Sequence, residues 1–124
     1  MPFYINTQNQ DSSREIARVL EKCIQRHKKD WSEIVFLCIG SDRVTGDCLG
    51  PYIGHQLTER LNVHDIYIYG TLKSPVHALN LEKISRRIKL LHPDSLVIAI
   101  DASLGQKKHL GYVTIADCAL YPGA

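Results

Sequence analysis

Aromatic rings are scarce in this chain, with one Trp and two Phe among 124 residues. No basic stretch is interleaved with rings on which a single-stranded nucleic acid could stack. Charge of one sign is equally wanting, because 15 basic and 13 acidic residues leave a net of only +2. The pairs Lys28-Lys29, Arg86-Arg87 and Lys107-Lys108 stand isolated. A partnership with nucleic acid, which needs clustered cations to displace counterions, is therefore not expected. Cys23, Cys38, Cys48 and Cys118 form no C-x-x-C pair and follow no secretory signal, so they read as reduced thiols of a cytoplasmic protein. The longest apolar runs, Ile34 to Ile39 and Leu96 to Ile100, fall far short of the ~20 residues of a membrane span. No association with a membrane is expected. Neither an H-x-x-x-H pair nor a Cys/His cluster is present, so no metal and no cofactor is expected.

What is present is the material of one folded domain. Hydrophobic residues make up 44% of the chain, and a chain of this length buries roughly two-thirds of its unfolded surface. Residues 1–11 are polar and aperiodic and read as a flexible arm, leaving 12–124 as a single α/β domain. Ser12 and Glu15 have the spacing of a capping box, and Ile16, Val19, Leu20, Cys23, Ile24 and His27 follow at helical intervals, predicting a helix over 12–29. The run Ile34-Val35-Phe36-Leu37-Cys38-Ile39 predicts a strand covered on both faces. A helix near Asp47 to Leu61 follows, with Leu49, Ile53, Leu57 and Leu61 on one stripe and Gly46, Gly50 and Gly54 on another. Glycine costs a helix about 1 kcal/mol each. Close approach of the helix backbone to a strand would offset that cost, while Gly46 is equally suited to the turn. Pro51 is tolerable in a first turn, where its missing N–H has no partner to lose.

Asp65 to Tyr69 alternates as a second strand. Ser74-Pro75 reads as an N-cap and first residue of a third helix, whose buried stripe is Leu81, Ile84, Ile88 and Leu91. Leu96 to Ile100 repeats the covered-strand signature and ends in Asp101-Ala102, and Gly111 to Ala116 alternates as a fourth strand. Strands separated by single helices predict a three-layer α/β/α sandwich on a mostly parallel sheet. The fourth strand would leave an open sheet edge, to be covered by a second chain in a homo-oligomer or by missing sequence.

Open parallel sheets bind ligands beyond the carboxyl ends of their strands. Asp47, after the first core strand, and Asp101, at the tip of the third, are delivered to that rim, and a strand order of 2-1-3 would make them face each other. Paired carboxylates lose their protons in coupled steps, so one can act as base while the other acts as acid. The plain alternatives are a helix N-cap for Asp47 and a loop-bonding carboxylate for Asp101. Ser41, Arg43 and Thr45, with backbone amides, could cradle an anion, and His77, read at the third position of helix three, is aimed at the same rim. Cys48 reads as a packed small residue; His55, His64, His92 and His109 read as solvated.

Three ordered motifs are recognisable: Cys38 to Pro51 (CIGSDRVTGDCLGP), Tyr69 to Leu72 with Pro75 to Leu81, and Ala99 to Gly105 (AIDASLG). Together they resemble the sporulation protein YyaC family of endospore-forming bacteria, which is similar to the germination protease and, more distantly, to hydrogenase maturation endopeptidases. The resemblance spans about residues 33–124 and implies the phosphorylase/hydrolase-like fold. It implies catalytic roles for Asp47, in Thr45-Gly46-Asp47-Cys48-Leu49-Gly50-Pro51, and for Asp101, in Asp101-Ala102. Gly46 and Cys48 stand where the protease has proline and alanine. No histidine here is matched to the one that completes a nickel site in the hydrogenase enzymes. The family continues beyond Pro122-Gly123-Ala124, so the fold reads as truncated at its C-terminal end.

The expected activity is that of a spore-associated endopeptidase, an atypical aspartic-type hydrolase in which a water is activated between Asp47 and Asp101. Its substrates would be proteins or peptides, small acid-soluble spore proteins among them. The rival expectations are a non-catalytic peptide- or partner-binding module, and a metal- or phosphate-dependent enzyme holding an ion such as nickel at Asp47 and Asp101, or phosphate at Arg43.

Overall fold

The computed structural model describes residues 2–27, 30–41, 48–102 and 111–117. They gather into two compact units: Met1–Lys29 with Leu104–Tyr121, and Asp30–Ser103 with Pro122–Ala124.

The larger unit is built on Ile34 to Ile39, as the sequence predicts. Strand β2 (Glu33–Ile39) lies between β3 (Ile66–Tyr69) and β4 (Ser95–Asp101), all parallel, in the order β3-β2-β4. This is the 2-1-3 order on which the meeting of the two aspartates at one rim is conditional. Val35, Leu37 and Ile39 project from one face of β2 into a core closed by Ile88 of α3 (Leu81–Leu91), with Leu81, Ile84, Tyr69 and Ala99 packed around it. Side chains alternate across a strand, so Cys38 turns to the other face. There it meets α2 (Leu49–Arg60), with Pro51 and Cys38 fully buried. One helix on each face gives three α/β/α layers.

The seat of α2 explains its glycines. A Cβ on Gly50 would overlap the backbone of Ile39, and one on Gly54 would overlap the carbonyl of Gly70 while lying 3.4 Å from the Cys38 Cβ. Gly70 itself has φ +94°, and a Cβ there would strike the Cys38 carbonyl. Backbone therefore packs on backbone where the strands end. Gly46 lies outside the described residues.

The third helix starts later than the sequence predicts. Ser74-Pro75 does not cap it; Asn80 does. Val76 forms a parallel bridge to Ile39, and its carbonyl accepts a 2.8 Å bond from the Gly40 N–H, so the main chain here is extended and bound to β2. Asn80 then turns the chain, its Oδ1 accepting from the His77 N–H at 2.8 Å and its Nδ2 donating to the Pro75 carbonyl at 3.1 Å. Sheet pairing outcompetes the local Ser-Pro signal.

The smaller unit departs further from expectation. Residues 3–6 of the expected flexible arm form β1 (Phe3–Asn6), which pairs antiparallel with β5 (Tyr112–Ile115) in the register Phe3↔Ile115 to Asn6↔Tyr112. The 111–116 segment is thus not the fourth strand of the parallel sheet: its backbone groups are bonded to β1 in a separate two-stranded ladder. Helix α1 (Ser12–Arg26) has the predicted face, with Ile16, Val19, Leu20, Cys23, Ile24 and His27 all half-buried. Its N-cap is Asp11, and no capping-box bond forms. His27 Nε2, just past its C-terminal end, lies 2.9 Å from the Asp117 carboxylate.

Two predictions follow from the packing of α2. Gly54→Ala, which helix propensity alone would favour by about 1 kcal/mol, instead destabilises the protein by about 3 kcal/mol through collision with the Gly70 carbonyl, read as a lowered urea midpoint. Burial pushes the Cys38 thiol from 9.0 up to about 11. Between those values the unfolded thiol ionises and the folded one does not, so stability is lost as pH rises across the window. At pH 8, iodoacetamide labels exposed Cys48 in the native protein and reaches Cys38 only after denaturation, as peptide mass mapping reads directly.

Candidate functional site

Parallel pairing brings the carboxyl ends of β2 and β4 level, with Ile39 opposite Asp101. Ile39 bonds to Val76 along its other edge. Two strand spacings therefore separate Asp101 from Val76, about 10 Å across the sheet end. Asp101 and Ser41, two residues beyond Ile39, are both half-buried at this rim. His77 follows Val76 and is likewise half-buried, in the connection before α3 rather than at the third position of that helix. Its Nδ1 accepts the Leu79 N–H at 3.2 Å, which in the neutral ring leaves the proton on Nε2. Asp101, Ser41 and His77 thus share the strand-end rim that the sequence assigned to them. Asp47, Arg43 and Thr45 lie outside the described residues.

Among the described residues, no group of three His, Cys, Asp or Glu side chains is placed to hold a metal ion. No described helix is long and apolar enough to cross a membrane.

Sequence reasoning missed a second polar cluster, at the opposite end of β2. His92, expected to be solvated, is only 7% exposed. Its Nδ1 lies 3.1 Å from Glu33 Oε1 and its Nε2 lies 2.9 Å from the Tyr69 hydroxyl, so a carboxylate, an imidazole and a phenol are connected in series. With Nδ1 protonated toward the carboxylate, Nε2 is left to accept the phenol proton. Tyr67 packs on the same imidazole with ring centroids 4.3 Å apart. The Glu33 charge beside it raises the pKa of the Tyr67 phenol. His92 is the C-cap of α3, and Pro93 after it keeps the helix from continuing. The available signal was the alternation in Asp65 to Tyr69, which puts two phenols on one strand face where each needs a polar neighbour.

The cluster behaves as a unit on this geometry. His92→Leu leaves a carboxylate and a phenol without their shared partner and lowers stability by about 2–4 kcal/mol. Combining it with Glu33→Gln or Tyr69→Phe in urea denaturation gives a total well below the sum of the single losses. Strict additivity would show that the three groups act separately.

Comparison with known proteins now bears on this framework. A family model described as "Protein of unknown function (DUF1256)" matches residues 4–124. The chain is 38% identical over 121 residues to the "Uncharacterized protein YyaC" of Bacillus subtilis (strain 168), an alignment covering 98% of this chain and 58% of that protein. The chain thus spans rather more than half the length of this curated relative. No solved structure matches. A match over nearly all of its residues, to both the family model and the relative, means that the chain belongs to the YyaC (DUF1256) family.

Proposed function

We propose that this protein is a spore-associated endopeptidase acting in the cytoplasm of an endospore-forming cell. In this reading Asp101 and Asp47 activate a water between them. The observation that carries it is the register of Asp101 with Ile39, which puts a half-buried carboxylate at the strand end from which the Asp47 loop departs in sequence. The likeness of the motifs around both aspartates to those of the germination protease supports the same reading.

The chemistry needs two carboxylates within ~3 to 6 Å, so that one is protonated while the other is not. The ionised carboxylate takes a proton from water as its oxygen attacks the peptide carbonyl carbon. The protonated one then gives its proton to the amine nitrogen as the C–N bond breaks. Ser41 and His77, with Arg43 and Thr45, would hold the peptide alongside, and small acid-soluble spore proteins are the substrates to try first.

Incubation with those proteins followed by mass analysis yields defined fragments. Asp101→Asn and Asp47→Asn each reduce the cleavage rate by about 10²–10⁴-fold while the circular-dichroism spectrum shows the fold retained. Retention of cleavage in both variants removes the dyad. Saturable binding without fragments across a wide pH range makes the protein a peptide-binding module instead.

A further inference from the structure

A cleft of ≈ 530 Å³ opens between the carboxyl end of β3 and α3, with Pro75, Val76 and Ile84 among its apolar lining. Its polar lining consists of Thr71, Ser74, His77, Asn80 and Arg87, besides Tyr69. Not one of them is acidic, and the whole stretch from Ile66 to Leu81 contains no Asp or Glu. Tyr69 is committed to His92, and both amide groups of Asn80 are committed to the backbone around it.

The remaining groups can donate. Thr71 Oγ1 accepts the Ser74 N–H at 3.1 Å, while the Thr71 N–H donates to the Ser74 carbonyl at 3.2 Å, so a closed turn presents both hydroxyls. The bond from Leu79 to His77 Nδ1 leaves the ring with an N–H to offer at Nε2. Arg87 is the one cation of the lining. Its helical neighbours supply no counter-charge: Lys83 lies one turn before it, Leu91 one turn after, and Glu82 is taken by Arg86 at 2.6 Å. Among the described residues Arg87 makes no ion pair. An arginine fork without a carboxylate, lining one cleft with two hydroxyls and an imidazole, is complementary to a planar or tetrahedral oxyanion.

We infer that this cleft is an oxyanion-binding site, taking a carboxylate or phosphate group on Arg87, Thr71, Ser74 and His77. The site stands on α3 and on the connection that leads to it from β3; it shares His77 with the endopeptidase reading but makes no use of Asp47 or Asp101. It does not depend on the endopeptidase reading, and both can be tested on the same protein.

The test is a titration of the full chain with inorganic phosphate and, separately, with acetate at low ionic strength, followed through backbone amide resonances. Saturable shifts centred on the Thr71, Ser74 and His77 amides are expected. A response to phosphate alone assigns a phosphoryl ligand, and a response to acetate assigns a carboxylate. Arg87→Ala weakens binding about tenfold or more, because a charge-assisted fork is lost. Arg86→Ala, which removes the same charge from the neighbouring position, leaves binding unchanged. The inference is overturned by the absence of saturable shifts with either anion, by equal weakening in the two arginine variants, or by binding that Arg87→Ala leaves intact.

Discussion

The fold of the larger unit depends on one contact, the seating of α2 on the ends of β2 and β3 without intervening side chains. Gly54 against the Gly70 carbonyl, and Gly50 against Ile39, bring two layers to backbone contact. Two glycines in a helix cost about 2 kcal/mol of propensity, which burial of Pro51 and Cys38 in the same interface offsets. Because α2 cannot move away from the sheet without opening this contact, the entry to the helix is fixed relative to the strand ends. The candidate rim inherits that rigidity: Gly40, Val76 and Asp101 are all tied to the last residues of β2.

The parallel core was legible because its signal is redundant. Two all-apolar strands, periodic helices and Gly or Pro at the boundaries agree with one another. The glycine stripe was legible for a sharper reason, since only close packing makes such a pattern tolerable. Where the reading failed, a local rule met a longer-range competitor. Ser74-Pro75 is a sound helix start, yet sheet pairing of Val76 with Ile39 and the double bond of Asn80 move the start to Leu81. The four residues Phe3 to Asn6 carry too little signal to reveal a partner far along the chain. Of the candidate site, Asp101 lies at the strand end that topology assigned to it, with Ser41 two residues beyond Ile39, while His77 sits in the connection before α3 and not on the helix where it was read. His92 was missed because nothing in its immediate sequence tells a solvated helix-end histidine from one roofed by two tyrosines.

The two polar regions of the larger unit differ in kind. At the amino end of β2, Glu33, His92 and Tyr69 satisfy one another and leave little capacity for a ligand. In the cleft by β3 and α3, the groups that are satisfied, Asn80 above all, position others that are not. Structural polar clusters close on themselves, whereas a binding site keeps donors facing outward.

The antiparallel pairing of β1 with β5 has a consequence for biosynthesis. Thr7 and Gly111, bonded at the end of that ladder, are 104 residues apart. The β3-β2-β4 sheet can therefore assemble on the ribosome as soon as β4 has left the exit tunnel, while β1, already translated, waits for β5 to appear. During that interval β1 is an unpaired strand tethered to a folded body, the state in which a nascent chain is most open to capture by a chaperone or by a neighbouring copy.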